Sequence, residues 1–333
     1  MRKAKNLFCC AALLLCCGFS LFPESTEKEY LIGEAAEKLQ DLYRANPELS
    51  IGARTCSVGS FTWEESGIGT EFSAYLRSAV ADALMRISEF DLMIPAEDTV
   101  DFGTEAQEIL DRKKSRNGNV QTAAYRIFGT YRVAVDGIEL AVDLYSAVFS
   151  RLMADFSLQL PLEKVPRGIS LYPSNLQVLT DVSSEVGSLY EGSDDFQVFI
   201  STNRGEGSIF QEGEYLKLYL LASRDCFLKL YHIDVYGKTT LIFPNRYEKN
   251  NFLPGGDLLA FPSGRSPFQF RLVPPTGTEM IKAVASTKQF SSLEEDFSDL
   301  GPATRGIFIE GAEQETTEIM AEDLVYFTIT EKE

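Results

Sequence analysis

His232 is the only histidine in the chain, and histidine is the side chain most often used as a general base near neutral pH. A hydrolytic triad needs only one histidine, but the GxSxG turn that commonly carries its serine is missing from the sequence. His232 lies in the alternating run Tyr-His-Ile-Asp, which is typical of a strand, where a histidine is usually hydrogen-bonded in place. We therefore expect a structural role for His232.

Two further short motifs could carry chemistry. Ser25 and Lys28 have the SxxK spacing of penicillin-recognising enzymes, but the SDN and KTG motifs that accompany it are missing. Gly67-Ile68-Gly69-Thr70 precedes a predicted helix N-terminus, which is suited to an anion, yet Phe72 stands where a dinucleotide fingerprint has its third glycine. We interpret the first motif as coincidence and the second as a flexible turn followed by a helix cap at Thr70.

The acidic and sulfur side chains suggest no site either. The chain has 49 Asp and Glu residues, so carboxylate pairs arise by chance, and no calcium-loop spacing is present. Cys56 and Cys226 lack the spacing of a zinc site, and two buried free thiols are a simpler reading than a disulfide between distant segments. We predict no catalytic residue, no cofactor and no metal, and therefore a protein that is not an enzyme.

The charge balance excludes one class of partner. The formal net charge is −18, and no basic patch with interleaved aromatic residues is visible. Such a body repels nucleic acid, so we expect no nucleic-acid partner.

The N-terminus resembles an export signal, residues 1–20. Basic residues at positions 2, 3 and 5 precede an apolar run that ends near Cys17 and is too short to span a bilayer. Leu14-Leu15-Cys16-Cys17 resembles a bacterial lipobox with Cys17 as the acylated residue, although Cys16 stands where a smaller residue is usual. Gly18-Phe19-Ser20 also fits ordinary signal peptidase, and both alternatives stay open. Either one predicts a protein exported to the periplasm or outer membrane.

The body divides into two predicted domains. For residues 30–165 we predict an α/β domain, a mixed sheet with helices at 31–44, 71–88 and 98–112. Its strands are expected at 49–58, 90–95, 127–135, 138–145 and 152–161, with a loop at 59–70 and a hairpin turn at Asp136-Gly137. Residues 166–195 are rich in Gly, Pro and Ser and are predicted to be a linker. Residues 196–333 alternate strand-like runs with turn residues, which predicts an Ig-like antiparallel β-sandwich.

Two family resemblances add to this reading. The strand, loop, helix and short strand from Ser50 to Pro95, followed by the hairpin around Asp136-Gly137, resemble CsgG/FlgO-type envelope domains. That resemblance implies a binding or structural part in outer-membrane assembly. The later half resembles domain of unknown function 4384, through Phe227 to Asp234 (FLKLYHID), Leu241 to Asn245 (LIFPN) and Pro275 to Glu279 (PTGTE). This second resemblance implies a domain architecture and a location in the cell envelope, but it implies no reaction.

We therefore predict an exported, non-enzymatic interaction or assembly factor whose partners are envelope proteins or cell-wall components. A lipid on Cys17 would attach it to the membrane. The predicted partner surface surrounds LIFPN and comprises Phe243, Pro244, Asn245, Arg246, Tyr247 and Phe252, with core packing as the alternative for Phe243. The alternatives for the whole protein are a carbohydrate- or peptidoglycan-binding module and, less favoured, a carboxylate-dependent hydrolase.

Overall fold

The structure, a computed structural model, describes residues 26–64, 66–93, 123–147, 151–186, 196–290, 299–300 and 319–332. The export signal with Cys17 and the predicted helix at 98–112 lie outside the described residues. Among the residues that are described, no helix is both long enough and apolar enough to cross a membrane.

In its described residues, the N-terminal half has a five-stranded sheet and two helices. Its helices are α1 (Thr26–Ala45) and α2 (Glu71–Arg86), with 3-10 turns at Pro47–Ser50 and Leu162–Lys164. Its strands are β1 (Thr55–Trp63), β2 (Asp91–Leu92), β3 (Tyr125–Val133), β4 (Gly137–Ser146) and β5 (Arg151–Pro161). The sheet order is β2-β1-β3-β4-β5, in which β1 is parallel to β2 and β3 and the other pairs are antiparallel. Helix residues such as Leu39 and Leu76 share one apolar core with Ile127 and Leu140 of the sheet.

Most predicted elements of this half are confirmed, and β1 is the main correction. The helices at 31–44 and 71–88, the β3–β4 hairpin and the last strand form where expected. The strand predicted at 49–58 instead runs from Thr55 to Trp63, so part of the predicted loop is strand. Gly59 explains the error, because a Cβ there would lie 2.5 Å from the Phe128 ring, and a glycine inside a strand often marks such close packing.

The predicted linker contains a helix, α3 (Leu176–Val186), that sequence reasoning did not identify. Leu179 is buried in a small apolar cluster with Ile68 of the N-terminal half and with Ile233 and Met280 of the later half. The segment therefore packs against both halves instead of only joining them.

The described residues of the later half form strands in three sheets. The strands are β6 (Val198–Thr202), β7 (Ser208–Gln211), β8 (Tyr215–Leu216), β9 (Leu218–Ala222), β10 (Cys226–Ile233), β11 (Thr239–Phe243), β12 (Phe252–Leu253), β13 (Leu258–Phe261), β14 (Phe270–Arg271), β15 (Gly277–Ser286), β16 (Asp299–Leu300) and β17 (Met320–Thr330). The largest sheet has the order β16-β11-β10-β15-β17-β7, with β12 also paired to β10. The others are β13-β9-β6 and β14-β8.

The two larger sheets share a second apolar core. Ile200 and Leu220 of the smaller sheet meet Leu230 and Phe327 of the larger one in a single buried cluster. The strands agree with the β-rich prediction, but β7 pairs with β17 in parallel, so a purely antiparallel sandwich is wrong at that edge. The predicted domain boundaries and the Ig-like topology stay predictions.

Candidate functional site

The predicted partner surface lies between β11 and β12, which pair with different stretches of β10. The chain leaves β11 at Phe243, forms a loop through residues 244–251, and returns to pair with β10 as β12. Phe243, Pro244 and Asn245 are buried, so these three do not themselves form an exposed surface. Their assignment to the surface is corrected, and they support the loop from beneath.

Asn245 holds the loop in one shape. Its side-chain amide donates to the carbonyl of Ile242 at 2.8 Å. Its carbonyl oxygen accepts the backbone N–H groups of Tyr247 and Glu248 at 2.9 and 3.0 Å. Asparagine stabilises a turn in this way because its short side-chain amide reaches the backbone N–H groups two and three residues further along the chain.

An aromatic cluster fills the space below the loop. Phe243 packs on Phe261 of β13 with ring centroids 4.8 Å apart, which links the two sheets. Phe268 contacts Phe261 at 5.9 Å and Tyr247 at 5.5 Å. The cluster therefore connects the interior of the sandwich to the exposed Tyr247.

The exposed part of the predicted surface is Arg246, Tyr247 and Phe252. Tyr247 and Phe252 are 47% and 41% exposed. The Arg246 guanidinium lies 4.7 Å from the centroid of the Tyr247 ring and donates to its hydroxyl at 2.8 Å. Phe252 lies beside Phe227 at 5.3 Å between centroids. Arg and Tyr on a rigid base are typical of residues that dominate protein interfaces.

A second loop, residues 262–269 between β13 and β14, belongs to the same surface, and sequence reasoning missed it. Glu248 of the first loop accepts hydrogen bonds from the Ser263 hydroxyl at 2.9 Å and from the Ser266 hydroxyl. Arg265 lies between those two serines and is exposed. The available signal was the repeated Phe-Pro pair, at Phe243-Pro244 and at Phe261-Pro262, because both loops begin with it.

The sequence around these loops has a family match. Residues 209–289 match the family model of DUF4384, a domain of unknown function. This confirms the resemblance predicted for the later half. The match does not extend to the N-terminal half, and the resemblance to CsgG/FlgO-type domains stays a prediction. The search of curated proteins found no match.

Several solved structures are distantly similar. The LpoB C-terminal domain from Escherichia coli is 14% identical, covering 38% of this chain and 95% of that chain with a TM-score of 0.25. The corresponding Salmonella enterica domain is 14% identical, covering 40% and 98% with a TM-score of 0.26. TolB from Acinetobacter baumannii is 10% identical, covering 70% and 58% with a TM-score of 0.23. At these TM-scores the likenesses carry no argument about function.

His232, within the DUF4384 region, is engaged as a structural residue. Its Nε2 lies 2.7 Å from a carboxylate oxygen of Glu279 on β15, and its ring stacks on Phe327 of β17 at 6.5 Å. The residue thus ties three neighbouring strands together, as expected from its position in a strand. Glu279 is itself buried, while the His232 side chain is 30% exposed.

The other side chains that the sequence suggested for chemistry are ion-paired or buried. Lys28 of the SxxK match forms an ion pair with Asp82 at 2.8 Å between α1 and α2. Cys56 and Cys226 are free and buried, and burial raises the pKa of each thiol to about 12, so neither is a thiolate at neutral pH. Among the described residues, no three His, Cys, Asp or Glu side chains cluster as metal ligands would.

The Gly67–Thr70 segment is a contact between the halves and is not open to an anion. Thr70 caps α2, since its hydroxyl accepts the Ser73 N–H at 3.2 Å, which confirms the predicted cap. Gly69 lies against the backbone of Gly207, and a Cβ on Gly69 would be 2.6 Å from the Gly207 carbonyl carbon. The glycine spacing therefore serves a close approach of two backbones.

A chain of buried and partly buried hydrogen bonds completes this contact between the halves, and we call the contact the joint. The Thr328 hydroxyl donates to the carbonyl of Gly69 at 2.7 Å and lies 2.9 Å from the Thr278 hydroxyl. Asn175, just before α3, accepts the Thr278 N–H at 3.1 Å and donates to the carbonyls of Thr278 and Val235 at 2.9 and 3.2 Å. The joint thus connects the α2 loop, α3 and the large sheet.

Proposed function

We propose that this chain is an exported cell-envelope protein that acts as a non-enzymatic interaction or assembly factor. The observation that carries the proposal is the preorganised pair Arg246–Tyr247, an exposed cation stacked on an exposed ring that rests on the aromatic cluster. Such a pair loses little side-chain freedom on binding, because the stacking, the hydrogen bond and the Asn245 turn already fix it. The DUF4384 match and the signal-like N-terminus support a location in the cell envelope.

The same pair favours a protein partner over a carbohydrate. A sugar binds an aromatic side chain by stacking on the face of its ring, whereas the Arg246 guanidinium already lies over the Tyr247 ring. Phe268 contacts the same tyrosine at 5.5 Å. The glycan-binding alternative would require Arg246 to move away first.

Affinity capture from native envelope extract tests the proposal. The test variant carries Arg246→Ser, Tyr247→Ser and Phe252→Ser, leaving the buried loop residues unchanged. Tyr236→Ser is the matched control, because Tyr236 is 74% exposed in the β10–β11 turn. We expect the triple variant to lose specific captured proteins that the control retains. An unchanged capture profile in a folded triple variant would refute this surface.

The proposed address is tested separately. Intact mass and detergent partitioning of the mature protein distinguish a chain that begins at an acylated Cys17 from one with a bare N-terminus near Leu21. An acylated Cys17 would establish lipid anchoring, and a bare N-terminus in the aqueous phase would establish a freely exported protein. An uncleaved chain retained inside the cell would contradict export.

A further inference from the structure

The two loops of the candidate surface are basic within an acidic protein. Residues 244–251 and 262–269 contain three basic residues, Arg246, Lys249 and Arg265, and one acid, Glu248, so their net charge is 3 − 1 = +2. The whole chain has a net charge of −18. The charge of this surface is therefore opposite in sign to that of the protein as a whole.

Glu248, the acid within these loops, faces the serines of the second loop. Its carboxylate accepts hydrogen bonds from the Ser263 and Ser266 hydroxyls and joins the two loops. No described ion pair joins Glu248 to Arg246 or to Arg265. Both serine hydrogen bonds go to Oε1 of Glu248, and the side chains of Arg246 and Arg265 are exposed.

Arg246 is held in an orientation suited to a carboxylate. One guanidinium nitrogen donates to the Tyr247 hydroxyl at 2.8 Å, and the guanidinium carbon lies over the tyrosine ring. An arginine has five N–H donors, so one bond to Tyr247 leaves a fork of donors for a planar, two-point contact with a carboxylate. Lysine cannot reproduce this geometry, because its ammonium group is a point charge without a planar fork.

We propose that these loops bind an acidic peptide segment of a partner protein, with Arg246 and Arg265 contacting its carboxylates and Tyr247 and Phe268 contacting its apolar parts. This inference rests on the proposed function and names the class of its partner. Remote acids of this chain repel such a segment at low ionic strength. At physiological salt the Debye length is about 8 Å, so distant charges are screened while direct arginine–carboxylate contacts persist.

Fluorescence anisotropy with a defined probe tests the inference. The probe is a fluorescein-labelled peptide of alternating Glu and Ser, and the control peptide has Gln in place of Glu. With the mature-length protein in physiological salt, we expect the Glu peptide to bind and the Gln peptide to bind at least about tenfold more weakly, as loss of charge-assisted hydrogen bonds implies.

Substitutions locate the binding. Arg246→Gln should weaken binding of the Glu peptide about tenfold, and Arg246→Lys should recover only part of that loss because it restores charge without the planar fork. Arg167→Gln is the matched control, since it removes the same charge from an exposed position outside the surface. Unchanged thermal melting of all three variants would show that folding is intact.

Two results would overturn the inference. One is equal affinity for the Glu and Gln peptides. The other is equal loss of affinity in Arg246→Gln and Arg167→Gln, which would mean that general charge matters and this surface does not. If the capture experiment still identifies proteins that the triple variant loses, the proposed function stands and only the acidic character of the partner is wrong.

Discussion

The joint makes a sharp prediction about Gly69→Ala. The added methyl group would overlap the carbonyl oxygen of Gly207 and lie 2.6 Å from its carbonyl carbon and 3.2 Å from its Cα. Both neighbours are backbone atoms, so no side chain can rotate away to make room. The two backbones must separate, and the hydrogen bond from Thr328 to the Gly69 carbonyl lengthens or breaks.

The expected loss of stability follows from what this separation disrupts. Leaving a buried hydrogen-bonding group without its partner costs about 1–3 kcal/mol. Ile68, which is 4% exposed, would also lose part of its contact with Leu179 and Met280, and full exposure of such a side chain costs about 1.5–3 kcal/mol. We therefore expect Gly69→Ala to lower the free energy of unfolding by about 2–5 kcal/mol.

Trp63 makes the measurement direct. It is the only tryptophan, and its backbone N–H donates to the carbonyl of Ile68 at 2.8 Å, so its fluorescence reports on the joint during urea unfolding. Gly264→Ala is the control, because a Cβ at Gly264 has nothing within 4 Å. If Gly69→Ala matches the control in both midpoint and tryptophan emission, the close packing inferred for the joint is wrong.

Three further outcomes are expected. Gly33→Ala in α1 should raise the free energy of unfolding by about 0.5–1 kcal/mol in urea titration, since the position is exposed and open. Asp323 has a pKa raised to about 6, first by burial, although it accepts the Ile200 N–H at 2.7 Å. Because the carboxyl pKa is raised, protonated Asp323 stabilises the folded state below the ordinary aspartate pKa of about 4, and this stabilisation is lost as the pH rises through about 6. Relative to Asp323→Asn, the free energy of unfolding of the native chain should therefore fall by up to about 3 kcal/mol between pH 4 and pH 7 in unfolding titrations. Cys56 and Cys226 should react with a thiol reagent at pH 8 only after denaturant is added, and rapid labelling of the native protein would contradict their burial.

The sequence was sufficient to predict those elements whose conformation depends on residues close by in the chain. The helix capped by Thr70 was correct because cap chemistry acts over a few residues. The β3–β4 hairpin also forms, but its turn is centred on Val135-Asp136, since the Ala134 N–H donates to the Gly137 carbonyl at 2.8 Å. Asp136 does not adopt the positive φ that the predicted Asp136-Gly137 turn requires. Helix α3 was missed because serine, threonine and nearby glycine and proline obscure its short apolar stripe, which gains its stability from docking on Ile233 and Met280. Tyr215–Leu216 and Leu218–Ala222 are separated by one residue and yet join different sheets.

In the candidate surface, too, some features follow from neighbouring residues and others depend on residues that are distant in the sequence. Exposure of Tyr247 could be proposed from the sequence, but burial of Phe243 depends on Phe261, which lies on another sheet. The contribution of Arg265 depends on hydrogen bonds between two loops that the sequence does not reveal. Aromatic residues in loops thus mark a region, while the fold decides which of them face solvent.

The surface and the joint should act independently, because different contacts hold each one. Asn245 and Glu248 fix the loops through hydrogen bonds within and between them, whereas Asn175, Thr278 and Thr328 hold the halves together. No described hydrogen bond links the two sets directly, and substitutions that share no partner usually have additive effects on stability. Loosening the joint would therefore change where the loops are presented relative to the N-terminal half without changing their own shape. We therefore expect the proposed surface to keep its affinity for a partner when the joint is loosened.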